Sequence, residues 1–180
     1  MQMHRFHNIP DSLRERSIPL KDILQIMNLT KDDVVIDVGA GNGYYALAFA
    51  KICKKVYAVD QGYTDEAMNS LAEKASQSGL NNLQAIKRNV CDGLKIKDYT
   101  HAFFSNSFHD INCQDQLLNE IASQGAKLTI IEFKPNTPFG PPSFRRISED
   151  KLVNLLSQYG YSVNDKKEFE FHYVLTSSHP

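Results

Sequence analysis

Apolar positions along this chain switch repeatedly between the period of a strand and the period of a helix, and the switches predict an alternating order of the two. Short runs rich in β-branched and aromatic residues read as strands at 34–38, 55–59, 83–87, 101–105 and 125–133. Helical spacing fills the gaps. It predicts a helix at 44–51, one at 64–78 carried by Ala67, Leu71, Ala72 and Ala75, one at 114–123 carried by Leu117, Leu118 and Ile121, and one at 148–159 carried by Leu152, Leu155 and Leu156. Thr64 and Ser148 precede acidic residues as N-terminal caps, and Gly79 and Gly160 stop their helices. A further helix opens at Pro19, with Leu20, Ile23, Leu24 and Met27 on one face, and the polar stretch before it reads as an arm. Near the C-terminus, 161–164 and 169–176 predict an antiparallel pair, and the alternation of Phe169, Phe171, Tyr173 and Leu175 predicts a half-buried strand near a sheet edge. Strands alternating with helices imply an α/β fold with a parallel sheet.

A length of 180 residues fits one domain with a sizeable core. The formal net charge of −1 supplies no field that would draw in nucleic acid or an anionic membrane. Three cysteines, Cys53, Cys91 and Cys113, form an odd set without C-x-x-C spacing, which predicts neither a disulfide framework nor a zinc site. Without a signal-like or membrane-spanning run, the expected location is the reducing cytoplasm.

Candidate chemistry collects where the first strand ends. The run 34–38 leads into Gly39, Gly41 and Gly43, and a helix follows at Tyr44. Glycines allow unusual dihedrals and close ligand approach, and free N–H groups at a helix start favour an anion. Asp60 ends the second strand about 20 residues beyond Gly39, where a carboxylate accepts hydrogen bonds from ribose hydroxyls. A dinucleotide fingerprint would need glycine at position 44, which is Tyr44. The pattern present is Asp37-x-Gly39-x-Gly41-x-Gly43, and a carboxylate in the mouth of the site repels a pyrophosphate and suits an ammonium group.

On these residues the chain resembles the class I S-adenosylmethionine-dependent methyltransferases. Within that class it is similar to the small bacterial and archaeal type 11 enzymes grouped with ubiquinone and menaquinone biosynthesis, through Lys134, Thr137-Pro138, Gly140-Pro141-Pro142 and Arg146-Ile147-Ser148. The resemblance implies a Rossmann-like doubly wound sheet of seven strands ordered 3-2-1-4-5-7-6, the last pair antiparallel, with helices on both faces. It implies a single domain over 1–180, with an arm at 1–18 that packs over the cofactor and a core at 19–180. S-adenosylmethionine is the implied cofactor. Gly39, Ala40, Gly41 and Gly43 would lie under its methionine and ribose, Asp37 would reach the ammonium, and Asp60 with Gln61 would hold the ribose. Tyr44 would sit near the sulfonium. Asn89 would meet the adenine amino group with Val90 supplying an N–H, Asp92 being the alternative to Asn89, and Ser105 would face the methyl group.

For the acceptor side, His109 just past the fourth strand is the candidate base, its ordinary pKa being near neutrality. The competing role for the Phe108-His109-Asp110 turn is packing and capping of the next helix. The Asn/Asp-Pro-Pro-Tyr tetrad of adenine and glutamine methylases is absent after Ser105, and the scattered cysteines disfavour arsenite. Lys134, Arg145 and Arg146 are either ligands of an anionic acceptor or solvated loop charges. The expectation is methyl transfer to a small molecule by a monomer or homodimer, without nucleic acid or membrane partners. Two alternatives stand beside it, a non-catalytic S-adenosylmethionine or S-adenosylhomocysteine binding module and an NAD-dependent oxidoreductase.

Overall fold

A strand buried on both faces needs neighbours on both edges, and β1 (Val34–Val38) has them: β2 (Lys55–Asp60) and β4 (His101–Ser105) pair with it in parallel. The computed structural model describes residues 10–180, so His4 and His7 of the expected arm lie outside the described residues. Outward from this centre, β3 (Leu83–Lys87) joins β2, and β5 (Lys127–Phe133) joins β4, both parallel. Antiparallel to β5 runs β7 (His172–Ser178), with β6 (Ser162–Glu168) beyond it, giving the order β3-β2-β1-β4-β5-β7-β6. Strand order therefore reverses direction at β1, and the carboxyl ends of β1 and β4 mark the switch point at which open α/β sheets form a ligand crevice.

The alternation of side chains across the sheet sorts the core into two layers. Ile36, Val38 and Phe104 face one layer, closed by α5 (Gln114–Ser123) and α6 (Glu149–Gln158) through Leu117, Leu118, Ile121, Leu152 and Leu156. Val35 and Phe103 face the other, closed by α2 (Leu20–Met27), α3 (Tyr44–Ala50) and α4 (Asp65–Gln77) through Ile23, Met27, Phe49 and Leu71. Thr64 and Ser148 cap α4 and α6 as their side chains accept the N–H groups of Ala67 and Lys151.

Three expectations change. The last strand, β7, begins at His172, so Phe169 and Phe171 fall in the turn before it, and it is buried along its length, while β6, with Asp165, Lys166 and Lys167, forms the exposed edge. Pairing with β5 and β6 satisfies both edges of β7, and its two faces are covered by the two core layers, Tyr173 and Leu175 in one and Val174 in the other, while charged residues suit the outer edge at β6. The polar stretch before Pro19 is not featureless, because Asp11–Ser17 forms a helix, α1. The cysteines also do not all stay apart: Cys91 and Cys113 form a disulfide with Cα atoms 5.6 Å apart, because the β3–β4 crossover lies against the start of α5. Cys53 remains a buried free thiol. Among the described residues no helix is long and apolar enough to cross a membrane.

Phe103 sits at the junction of β1, β4 and α3, with its ring 4.9 Å from both Tyr45 and Phe49 and no exposed surface. Truncating Phe103→Ala should cost about 3–5 kcal/mol in urea unfolding. A loss below about 1 kcal/mol would mean that this contact does not organise the layer.

Candidate functional site

The carboxyl end of β1 delivers Asp37 and then the glycine turn. Gly39 has φ +76°, and a Cβ there would stand 2.5 Å from Cβ of Ser107, so only glycine lets the turn after β4 close against it. Ser107 fixes that approach by donating its hydroxyl to the Val38 carbonyl at 2.6 Å. Gly41, at φ +53°, is different: among the described residues nothing lies within 4 Å of where its Cβ would be, so the turn offers bare backbone there.

Free N–H groups in this turn were expected to favour an anion, and the structure corrects that. Gly39 and Ala40 both donate to the Val59 carbonyl, Gly43 donates to the Ala40 carbonyl, and Tyr44 donates to Asn42 Oδ1. Gly41 donates to Asp60 Oδ2 at 3.0 Å. With those donors engaged inside the protein, a pyrophosphate would find few hydrogen bonds here. Asp60 also accepts from Gly62 N–H through Oδ1 at 2.7 Å, so its carboxylate is held at both oxygens while each keeps a lone pair for a diol.

Asp37 is 2 % exposed, and its Oδ2 has no hydrogen-bond partner among the described residues. Burial pushes its pKa up to about 7, with the Arg14 guanidinium pulling the other way, Asp60 adding to the rise and the Ala46 N–H opposing it. Its strand position turns it to the α3 side of the sheet, where the buried Tyr63 hydroxyl also has no partner among the described residues. A buried carboxylate with an unpartnered oxygen suits a ligand that brings a cationic donor.

Arg14 belongs to the polar arm expected to pack over the cofactor, but the helix α1 that carries it is not among the elements predicted from the sequence. The guanidinium lies 5.0 Å from the Tyr44 ring centre and 5.8 Å from that of Tyr45, and it donates to Asn42 Oδ1. Asn42 Nδ2 donates to Asp11, and Tyr44 donates its hydroxyl to Glu15, so α1 is fastened across the glycine turn. The signal was present as Pro10 and Asp11 at the start and Arg14 and Arg16 at the end, the charge order of a short helix.

On the far side of the crevice, Gln61, Lys87, Arg88, Asn89, Asp92 and Lys95 line a cleft of about 570 Å³ beyond the ends of β2 and β3. Asn89 and its alternative Asp92 thus border the same space. Asn89 Oδ1 already accepts the Cys91 N–H at 3.0 Å, capping the turn that Val90 opens, and retains a second lone pair.

At the end of β4, Ser105 is half-buried and Asn106 adopts φ +53°, its buried Oδ1 without a partner among the described residues. The next turn carries His109. Glu132, fully buried on β5, accepts the His109 N–H through Oε1 at 3.0 Å and bonds Nδ1 through Oε2 at 2.7 Å. Nε2 stands 3.6 Å from Asp110, which is itself paired with Arg145 at 2.7 Å. Burial alone would lower the His109 pKa, but the Glu132 bond and charge, with Asp110, outweigh burial and the opposing Arg145 and leave it raised. Lys134 and Arg146 do not face this group. Lys134 pairs with Glu168 at 2.9 Å, and Arg146 donates to the carbonyls of Pro135, Thr137, Phe139 and Pro141, which makes it the fastener of the proline-rich loop.

A crevice at the strand-order reversal, an acid at the end of β2 and a glycine turn with bare backbone at Gly41 define a nucleoside-binding doubly wound α/β domain. Residues 29–157 match the family described as "Methyltransferase domain", and the chain belongs to that family, in which the methyl donor is S-adenosylmethionine. A curated relative, the probable cobalt-precorrin-6B C(15)-methyltransferase (decarboxylating) of Methanocaldococcus jannaschii, is 35% identical over 107 residues, 55% of this chain and 57% of its own length. The chain thus spans little more than half of that relative. A SAM-dependent methyltransferase from Aquifex aeolicus superposes with TM-score 0.76 at 23% identity, covering 96% of this chain and all 100% of its own. The [4+2]-cyclase SpnF shares the fold at TM-score 0.76 and 15% identity, covering 89% of this chain and 79% of its own. These two likenesses concern the fold.

The donor set fits S-adenosylmethionine: the unpartnered Asp37 oxygen answers an ammonium, Asp60 a diol, and the bare backbone at Gly41 leaves room. Because its folded pKa lies above the carboxylate value of 3.8, Asp37 contributes stability below that value and loses it as pH rises through about 7. Asp37→Asn should therefore raise the melting temperature at pH 8, by the equivalent of about 1–4 kcal/mol, while S-adenosylhomocysteine binding falls at least tenfold. A lower melting temperature with unchanged affinity would remove Asp37 from the site.

Proposed function

We propose that this chain transfers a methyl group from S-adenosylmethionine to a small-molecule acceptor, with His109 as the base. The observation that carries the reading is the unpartnered, buried Asp37 oxygen beside a glycine turn whose own N–H groups are engaged within the protein. Such a site takes a cation and resists a diphosphate, which separates methyl donors from nicotinamide dinucleotides.

When bound, S-adenosylmethionine supplies a sulfonium methyl open to direct displacement. Asp37 holds the ammonium, Arg14 meets the carboxylate of the same amino-acid tail, and Asp60 fixes the ribose. The aromatic faces of Tyr44 and Tyr45 and the α1 latch shield the tail from water. The amide of Asn106, held at the end of β4 with an unpartnered oxygen, orients the acceptor. His109 takes the acceptor proton at Nε2, and Glu132 fixes its ring by accepting from Nδ1. The identity to a precorrin methyltransferase over more than half the chain supports an organic small-molecule acceptor. Binding without transfer is the second reading, favoured by the His109 side chain being only 4% exposed.

Calorimetric titration with S-adenosylmethionine, S-adenosylhomocysteine and NADH tests the donor assignment. Both adenosyl ligands should bind and NADH should not, and Asp60→Ala should weaken adenosyl binding by on the order of tenfold or more with the fold intact. Silence toward both adenosyl ligands would end the reading.

With an acceptor found by screening, turnover should rise with pH to a midpoint above 6.5, because His109 works neutral and its pKa is raised. Glu132→Gln should move that midpoint down and slow transfer by about 10²-fold or more. A midpoint that Glu132→Gln does not move would assign His109 to packing.

A further inference from the structure

The Cys91–Cys113 bond joins the two halves of the site. Cys91 lies two residues beyond Asn89, in the turn that borders the cleft, and its N–H is the donor that fixes Asn89 Oδ1. Cys113 immediately precedes α5, four residues past His109. Resting on the methyl-donor reading above, we propose that this pair is a redox-modification site controlling affinity for the adenosyl ligand. Oxidised, the bond holds the turn carrying Asn89 and Val90 against α5, in the shape that receives the adenine. Reduced, that turn is released on its cleft side and binding weakens.

The surroundings suit reversible change. Both cysteines are half-buried residues, outside the fully buried core, and Cys53 is buried with its pKa pushed up to about 12, leaving it out of the exchange. One contact lies beyond the turn: Glu120 accepts the Leu94 N–H at 3.0 Å, whereas Gln116 Nε2 donates to the Cys91 carbonyl at 3.2 Å within the turn that moves. The Glu120 bond keeps the crossover docked on α5, so loss of the disulfide frees a turn and not the fold. The closed loop spans a sequence separation of 22 residues, long enough for its closure to restrain the chain appreciably.

The chemistry balances with a low-molecular-weight disulfide as oxidant. One cysteine thiolate attacks it and expels a thiolate, forming a mixed disulfide. The second cysteine thiolate then displaces the remaining small thiol, so two cysteine thiols are oxidised and one small disulfide becomes two thiols. Reduction is the reverse, with two small thiols supplying the two electrons.

The test is equilibration of the whole chain in glutathione buffers of stepped reduced-to-oxidised ratio. Alkylation and mass spectrometry count the thiols, circular dichroism follows the fold, and calorimetry measures S-adenosylhomocysteine affinity at each end. The expected result is a pair that converts within the series, an unchanged spectrum and affinity about tenfold weaker when reduced. Cys113→Ser should bind like the reduced protein whatever the buffer. Equal affinity in both forms, a pair that stays oxidised throughout, or reduction that unfolds the chain would each overturn the switch. Binding in neither form would overturn the methyl-donor reading and the switch with it, whereas equal binding overturns the switch alone.

Discussion

Everything near the crevice depends on a carboxylate kept in a place that disfavours it. Asp37 occupies the fourth position of a strand whose neighbours are Val35, Ile36 and Val38, all buried, and its Oδ2 has no partner among the described residues. Taking such a group out of water costs several kcal/mol unless it is neutralised or paired, and its pKa rises toward 7 in response. The surrounding sheet tolerates this because two apolar layers hold β1 from both faces. A ligand cation would recover the cost, so a destabilised oxygen becomes a binding determinant.

The elements around Asp37 divide the remaining tasks. The backbone of the glycine turn is tied to Val59 and Asp60 at the end of β2, which makes its shape independent of the ligand. Preorganisation of this kind keeps the ordering cost out of the binding step. In contrast, α1 is fastened to the turn by exposed polar contacts of Asp11, Arg14 and Glu15, each of modest strength in water. On the acceptor side, Glu132 comes from β5 and His109 from the turn after β4, so parallel pairing of those strands sets their distance.

The elements of the proposed cofactor half were legible because they are local. A buried strand, three glycines at alternate positions and an acid at the end of the next strand lie within about 25 residues, and their spacing is fixed by strand length and turn geometry. The acceptor half was legible only in part. His109 stood out by its titration range, but its buried partner Glu132 lies 23 residues away, and no spacing rule links the two. Arg146, read from sequence among the loop charges, is the bracket of the proline-rich loop, since four backbone carbonyls converge on its guanidinium.

By itself the sequence determined the alternation of strands and helices, the caps at Thr64 and Ser148 and the glycine turn, because each follows from short-range sterics and hydrogen bonding. The tertiary structure decided the rest. Burial of β7 and exposure of β6 follow from which strand inserts beside β5, and the alternating pattern of β7 alone could not reveal a second covered face. Pairing of Cys91 with Cys113 follows from the crossover packing on α5, and the raised pKa values of Asp37 and His109 follow from what surrounds them in space. Each of these depends on long-range contact, which residue order encodes only through the completed fold.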